Sequence, residues 1–176
     1  MKLIVTGPDC AGKSSLVNGL VSVFGFTLIK IRRLDDKYMM NIAVDKWINR
    51  MRTEHILFDR FYYPEDILYE PLFDSGQRSV LESRAEVLEK IFNELGVLFV
   101  YVTAQPEVLR ARFRVRGDEV RNEEQILKIA DVYEDFFSKT KLNYIRIDSS
   151  VCSISDMIEH AALEITRWHL TKIQGG

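Results

Sequence analysis

The sequence predicts an α/β protein, a five-stranded parallel sheet with helices on both faces. Three observations predict it. Short apolar runs alternate with longer segments whose apolar residues recur at helical spacing. Val97–Val102 is apolar throughout, as a central parallel strand covered on both faces should be. Gly7-Pro8-Asp9-Cys10-Ala11-Gly12-Lys13-Ser14 fits G-x-x-x-x-G-K-[ST] without substitution, between an apolar run and a helix-spaced one.

The elements follow in order. Lys2–Thr6 reads as a buried strand and Lys13–Phe24 as a helix closed by Gly25. Phe26–Ile31 is a second strand. From Asp35, a candidate N-cap, Met40, Val44, Trp47 and Met51 recur at helical spacing. His55–Asp59 is a third strand ending in an acid. Pro64 and Pro71 bracket an irregular aromatic stretch, and Ser79–Leu95 is a helix with Gly96 at its end. After the Val97–Val102 strand, Pro106 starts a helix that Gly117 stops. Asn122 with Gln125 forms a capping box opening Glu123–Ser138, whose stripe is Ile126, Ile129, Tyr133 and Phe137. Tyr144–Ile147 is the fifth strand, and Ser155 opens a terminal helix reaching Trp168. Ligands of such sheets sit at the carboxyl ends of the strands, the edge where Gly7 and Asp59 emerge.

Composition sets the outer bounds. The 176 residues are most simply one domain, residues 1–176, able to bury roughly 70% of the surface of the unfolded chain. No apolar run approaches the ~18 residues of a membrane span, and a strand beginning at residue 2 leaves no room for a signal peptide. Two cysteines make no disulfide framework, and His55, His160 and His169 lack metal-ligand spacing. A reduced, cytoplasmic protein is expected. A net charge of −2 argues against a nucleic-acid partner, which needs a basic face. Small-molecule nucleotides are the expected partners; monomer and homodimer both stay open.

Chemistry concentrates at three places. In the first loop, consecutive backbone N–H groups and the following helix N-terminus supply donors for phosphate. Lys13 would reach the β/γ-phosphates and the Ser14 hydroxyl would ligate Mg²⁺. Gly7, Pro8, Asp9, Cys10, Ala11, Gly12, Lys13, Ser14 and Ser15 form the expected ATP-binding run. Cys10 lies where Lys13 and the helix N-terminus could lower a thiol pKa, the simpler reading being a space-filling residue. Second, Asp59 ends an apolar strand in Walker-B fashion, a second metal-side ligand, and Arg60 adds a planar fork for phosphate. Third comes the arginine-rich run 110–122. On a helix, Arg112 and Arg116 share one face and Arg110 and Arg114 nearly the opposite one. Only one pair can then address phosphate. Arg112 and Arg116 are the expected catalytic and ATP-binding lid arginines, beside Lys13, Asp59 and Arg60.

Together these motifs resemble the thymidylate kinase-like branch of the P-loop nucleoside-monophosphate kinases, in a short, phage-type form. Asp9 stands in the acidic position of G-x-D-x-A-G-K-[ST], and Asp59-Arg60-Phe61 is similar to the family's D-R-aromatic motif. Arg116-Gly117 with Arg121-Asn122-Glu123 resembles its lid, R-G-x-x-D-R-x-E. The resemblance runs from residue 2 to about residue 148. It implies strand order 2-3-1-4-5, ATP with Mg²⁺ as donor and a deoxynucleoside monophosphate as acceptor. It also implies that Asp9 accepts a hydrogen bond from the acceptor's 3′-OH. The expected acceptor set is Asp9, Arg33, Arg60, Phe61 and Arg121.

Three departures stand out. Val120 replaces the lid aspartate, Pro64 replaces a serine, and the stretch between Ser14 and Asp59 is shorter than the family's usual segment. That segment carries the groups that hold thymine. Trp47, Phe61, Tyr62, Tyr63 and Tyr69 are candidates to stack on a base, with plain core as the alternative. The expected activity is transfer of the ATP γ-phosphoryl group to a deoxynucleoside monophosphate, dTMP or a modified pyrimidine first. The rival is a deoxynucleoside or modified-base hydroxyl kinase, with Asp59 as general base. A regulatory NTP-binding module is disfavoured, because no N-K-x-D motif exists and Asp74-Ser75-Gly76 is wrongly spaced.

Overall fold

The computed structural model describes residues 1–31, 37–73, 80–117, 122–150 and 153–174. Five strands, β1 (Lys2–Thr6), β2 (Thr27–Lys30), β3 (Ile56–Asp59), β4 (Val97–Thr103) and β5 (Tyr144–Asp148), form one sheet. Their order is β2-β3-β1-β4-β5 and every pairing is parallel. Burial explains which strands are central. Leu3–Val5 and Val97–Val102 are 0% exposed, whereas the edge strands β2 and β5 are largely part-buried or exposed. Register aligns Val5 with Asp59 and Lys30 with Asp59, so the strand ends meet on one edge.

Seven α-helices cover the described part of the sheet. They are α1 (Lys13–Phe24), α2 (Lys37–Met51), α3 (Tyr62–Phe73), α4 (Ala85–Glu94), α5 (Pro106–Arg116), α6 (Glu123–Lys139) and α7 (Ile154–Gln174). The expected capping box opens α6: Gln125 N–H donates to Asn122 Oδ1 and Asn122 N–H to Gln125 Oε1, both at 2.9 Å. Its predicted stripe is wholly buried. Helix α5 runs from Pro106 to Arg116 as its flanking residues require. Among the described residues no helix is long and apolar enough to cross a membrane.

Two expectations are corrected. The stretch between Pro64 and Pro71 is not irregular; it is helix α3. Tyr63 is extended at φ −103° and ψ 130°, as a residue before proline prefers, and Pro64 then starts the helix where its missing N–H costs nothing. Tyr62, Tyr63 and Leu68 are therefore core. The helix expected from Ser79 also starts later. Ser79 lies outside the described residues, and a 3₁₀ turn at Glu82–Arg84 precedes α4. Arg84 leaves that turn to donate to Asn41 at 2.8 Å and to Asp45 at 2.6 Å, both on α2. Asp35, the proposed N-cap of α2, also lies outside the described residues.

Helices α1 and α7 pack side by side through Gly19. A β-carbon at that position would stand 2.3 Å from Ile158 Cδ1 and 2.5 Å from its Cγ1. Gly19→Ala should therefore destabilise the protein by about 1–3 kcal/mol through overpacking. Ile158→Ala should relieve that clash, so urea denaturation of the double variant should show less loss than the sum of the singles. Additive losses would show that the two helices do not meet here.

Candidate active site

The loop after β1 is held against the sheet by the absence of a side chain. Gly7 has φ +141°, and a β-carbon there would stand 2.0 Å from the carbonyl oxygen of Val102 in β4. The chain then turns through Cys10 (φ 66°) and Gly12 (φ 88°) into α1. Lys13, the first helical residue, is buried, and its ammonium folds back to donate to the Pro8 carbonyl at 2.6 Å. Burial, and then the nearby Arg60 charge, push its pKa down to about 7. Asp9, 3.9 Å away, only partly offsets this.

The end of β3 supplies the second half. Arg60 sits at φ 67°, fixed by its own N–H donating to the Val5 carbonyl at 2.9 Å. Its Nη2 donates to Asp9 Oδ1 at 2.5 Å and its Nη1 to Glu65 Oε2 at 2.5 Å and Tyr69 at 3.0 Å. The opposite oxygen of Glu65 accepts from Thr6 at 2.6 Å and from Tyr133 at 2.5 Å. Burial alone would lower the Arg60 pKa, but Glu65 and the groups around it hold it well above the usual arginine value. The Tyr133 hydroxyl is pushed upward by burial and then by Glu65, so it stays neutral and donates. Arg60 thus supplies the charge that makes a carboxylate at Asp9 tolerable beside a phosphate site.

On the other side of the loop, Arg112 donates to the Cys10 carbonyl at 3.2 Å and to Ser149 Oγ and the Ser149 carbonyl, both at 2.8 Å. Ser149 Oγ in turn donates to the Ala11 carbonyl at 2.8 Å. In this arrangement Arg112 braces the back of the loop, where a phosphate contact had been expected. Arg116, one turn on, does reach the cavity. Arg114 lies on the far face in an exposed pair with Glu123 at 2.7 Å, of little energetic weight. Burial outweighs Arg116 and Lys13 at Cys10 and raises its thiol pKa, against the lowered value the sequence allowed.

These parts enclose a cavity of 370 Å³ lined by Asp9, Gly12–Ser15, Lys30, Ile31, Asp59, Arg60 and Arg116. Four cations from β2, α1, the β3 end and α5 face two carboxylates, a balance suited to a polyanion. The Ser14 hydroxyl and the Asp59 carboxylate both line the cavity, hard oxygen ligands of the kind that would suit Mg²⁺.

The other expected residues fare differently. Phe61 is 1% exposed, with Phe58, Tyr62 and Phe92 edge-on to it, so it is core and not an acceptor contact. Trp47 likewise packs edge-on against Phe58. Arg33 and Arg121 lie outside the described residues. Sequence reasoning missed Lys30, Glu65, Tyr133 and Ser149. Only Glu65 carried a local signal, as an acid in the first turn of a helix once Pro64 is read as a start.

Lys13 makes a testable electrostatic prediction. Its folded-state pKa of about 7 lies below the ordinary 10.5. The unfolded chain therefore holds the extra proton between those values, and stability of the free protein should rise with pH across that window. A triphosphate bound beside it should restore the ammonium. Calorimetry near about pH 8.5, in buffers of differing ionisation enthalpy, should therefore show uptake of up to one proton per ATP. Lys13→Met should abolish that uptake; the same uptake in the variant would place the titrating group elsewhere.

Comparison with known proteins follows the geometry. No protein-family model matches the chain. It is 28% identical over 156 residues to the SPbeta prophage-derived uncharacterized protein YorR of Bacillus subtilis (strain 168), covering 88% of this chain and 93% of that one. The crystal structure of B. subtilis YorR in complex with phosphorylated GDP superposes with a TM-score of 0.78 at 24% identity, over 96% of this chain and 98% of that one. Deoxyadenosine kinase from M. mycoides with bound dCTP gives 0.66 at 16% identity, over 95% and 100%. A gluconokinase from Sinorhizobium meliloti 1021 gives 0.63 at 15%, over 99% and 97%. With its five parallel strands in the order 2-3-1-4-5, the chain has the P-loop kinase fold.

Proposed function

We propose that the protein is a nucleotide kinase that transfers the γ-phosphoryl group of ATP to a deoxynucleoside monophosphate. dTMP or a modified pyrimidine nucleotide is the first acceptor to test. The unit would be a single P-loop kinase domain, with the run 110–122 as its lid. One observation carries the reading: the loop, the Asp59-Arg60 pair and Arg116 open into the same cavity. YorR, solved with phosphorylated GDP, and the M. mycoides deoxyadenosine kinase, solved with dCTP and with dATP, support a nucleotide as ligand.

In this reading the loop amides and Lys13 hold the donor phosphates. Ser14 and Asp59 would hold Mg²⁺, which supplies charge neutralisation across the phosphate oxygens when bound. Arg60 meets the acceptor phosphate, and Arg116 stabilises charge on the moving group. Asp9 accepts the acceptor's 3′-OH, and Arg112 keeps the loop in shape. A monophosphate oxygen is already anionic, so no strong general base is required; Asp59 orients water and metal.

A second reading has its own observation. Asp59 lines the cavity and, among the described residues, no arginine or lysine holds it in an ion pair. Such a carboxylate could take a proton from a neutral alcohol, as a deoxynucleoside or modified-base hydroxyl kinase requires.

The deciding experiment is ADP formation from ATP–Mg²⁺ against nucleosides, monophosphates and DNA, in the native protein and in Asp59→Asn. With a monophosphate acceptor, the loss in Asp59→Asn should be partly rescued by added Mg²⁺. With an alcohol acceptor no rescue is expected, and the acidic limb of the pH–rate profile should vanish.

The lid gives a separate check. Arg116→Ala should lower kcat more than it raises KM, by roughly 10-fold or more, because its contact strengthens as charge develops. Arg114→Ala, paired to Glu123 on the outer face, should leave both within about twofold. Equal effects would remove Arg116 from the reaction.

A further inference from the structure

Glu65 is an ionisable group of this site that the proposed reaction does not use. It does not line the cavity, yet both its oxygens are engaged. One takes Arg60 Nη1 at 2.5 Å; the other takes the hydroxyls of Thr6 at 2.6 Å and Tyr133 at 2.5 Å. Thr6 ends β1 and is 0% exposed, and Tyr133 comes from α6 and is 0% exposed. The carboxylate is therefore fixed from two further elements, and it meets Arg60 from the side away from the cavity. Asp9 meets the same guanidinium through Nη2, on the cavity wall.

We propose that Glu65 is a positioning residue, which anchors Arg60 from behind so that the guanidinium keeps its aim when an acceptor phosphate oxygen takes the place of Asp9. The role rests on the phosphoryl-transfer reading above. An incoming phosphate oxygen reaches the guanidinium from the cavity, where it competes with a carboxylate partner that borders the same space. The one to go is Asp9, because its carboxylate borders the cavity while Glu65 is pinned by two hydroxyls. Glu65 and the Tyr69 hydroxyl together take the two N–H groups of Nη1, so Arg60 does not present Nη1 and Nη2 together to Asp9 as a fork-to-fork pair. Without Glu65 that pairing opens, and it would draw Arg60 and Asp9 out of use together. The ring of Tyr69, 5.6 Å from the guanidinium carbon, limits the remaining swing.

The test is steady-state kinetics and melting temperature for Glu65→Gln, Tyr133→Phe, Arg60→Lys and the Glu65→Gln/Arg60→Lys double variant. Glu65→Gln should raise acceptor KM by at least ~10-fold and lower kcat, with ATP KM held within about twofold. Tyr133→Phe keeps the ring and removes only the hydroxyl, so it should move the same parameters by about threefold. Should Glu65→Gln not fold, Tyr133→Phe carries the comparison. In the Arg60→Lys background Glu65→Gln should add nothing, because it acts through Arg60. Parallel changes in acceptor and ATP KM, or effects that multiply in the double variant, would overturn the role. A native protein that forms no ADP with any monophosphate would overturn the monophosphate-kinase reading and this role with it. Native turnover beside an unchanged acceptor KM in Glu65→Gln would overturn the role alone.

Discussion

The site depends on how closely the end of β1 packs against β4. At Gly7 no β-carbon fits, because the Val102 carbonyl occupies its place. That contact brings the loop into the sheet edge at the centre of the strand order. Asp59 and Arg60 then arrive from β3 on one flank, and the helix after β4 delivers Arg112 and Arg116 on the other. A side chain at Gly7 would push the loop off the sheet and separate the two flanks.

Charge balance is the second constraint. Burial, and then the nearby Arg60 charge, penalise the ammonium of Lys13. The free protein answers with carboxylates: Asp9 touches both cations, and Glu65 holds Arg60 from behind. An anion entering the cavity relieves the same strain that these acids relieve in its absence. Ligand binding should therefore stabilise the fold as well as occupy it.

Local signals in the chain were enough for most of the architecture. The loop motif, the Asn122–Gln125 box, and Pro106 and Gly117 around α5 each depend on residues within a few positions of one another. Where local rules competed, the reading failed. Two prolines and four aromatics between Phe61 and Pro71 look like a broken segment, yet Pro64 is a helix start once Tyr63 is extended. The aromatics looked like candidates to stack on a base because composition cannot tell a ring over a ligand from a ring in the core. Phe61, enclosed by Phe58, Tyr62 and Phe92, is the second kind.

The sequence by itself determined the phosphate loop, the acid–arginine pair at the end of β3, and the inward and outward faces of helix α5. Each is encoded by spacing along a single element, which a helix or strand repeat converts directly into direction. Only the tertiary structure decided what those groups touch. Arg60 meets Asp9 51 positions away and Tyr133 73 positions away, and Arg112 meets the Cys10 carbonyl 102 positions away. No local pattern records such pairs, because they form only when the parallel crossovers bring the ends of β1, β3 and β5 and the helices α3, α5 and α6 to one edge. A guanidinium's role is set by its nearest acceptors, and those acceptors are chosen by the fold.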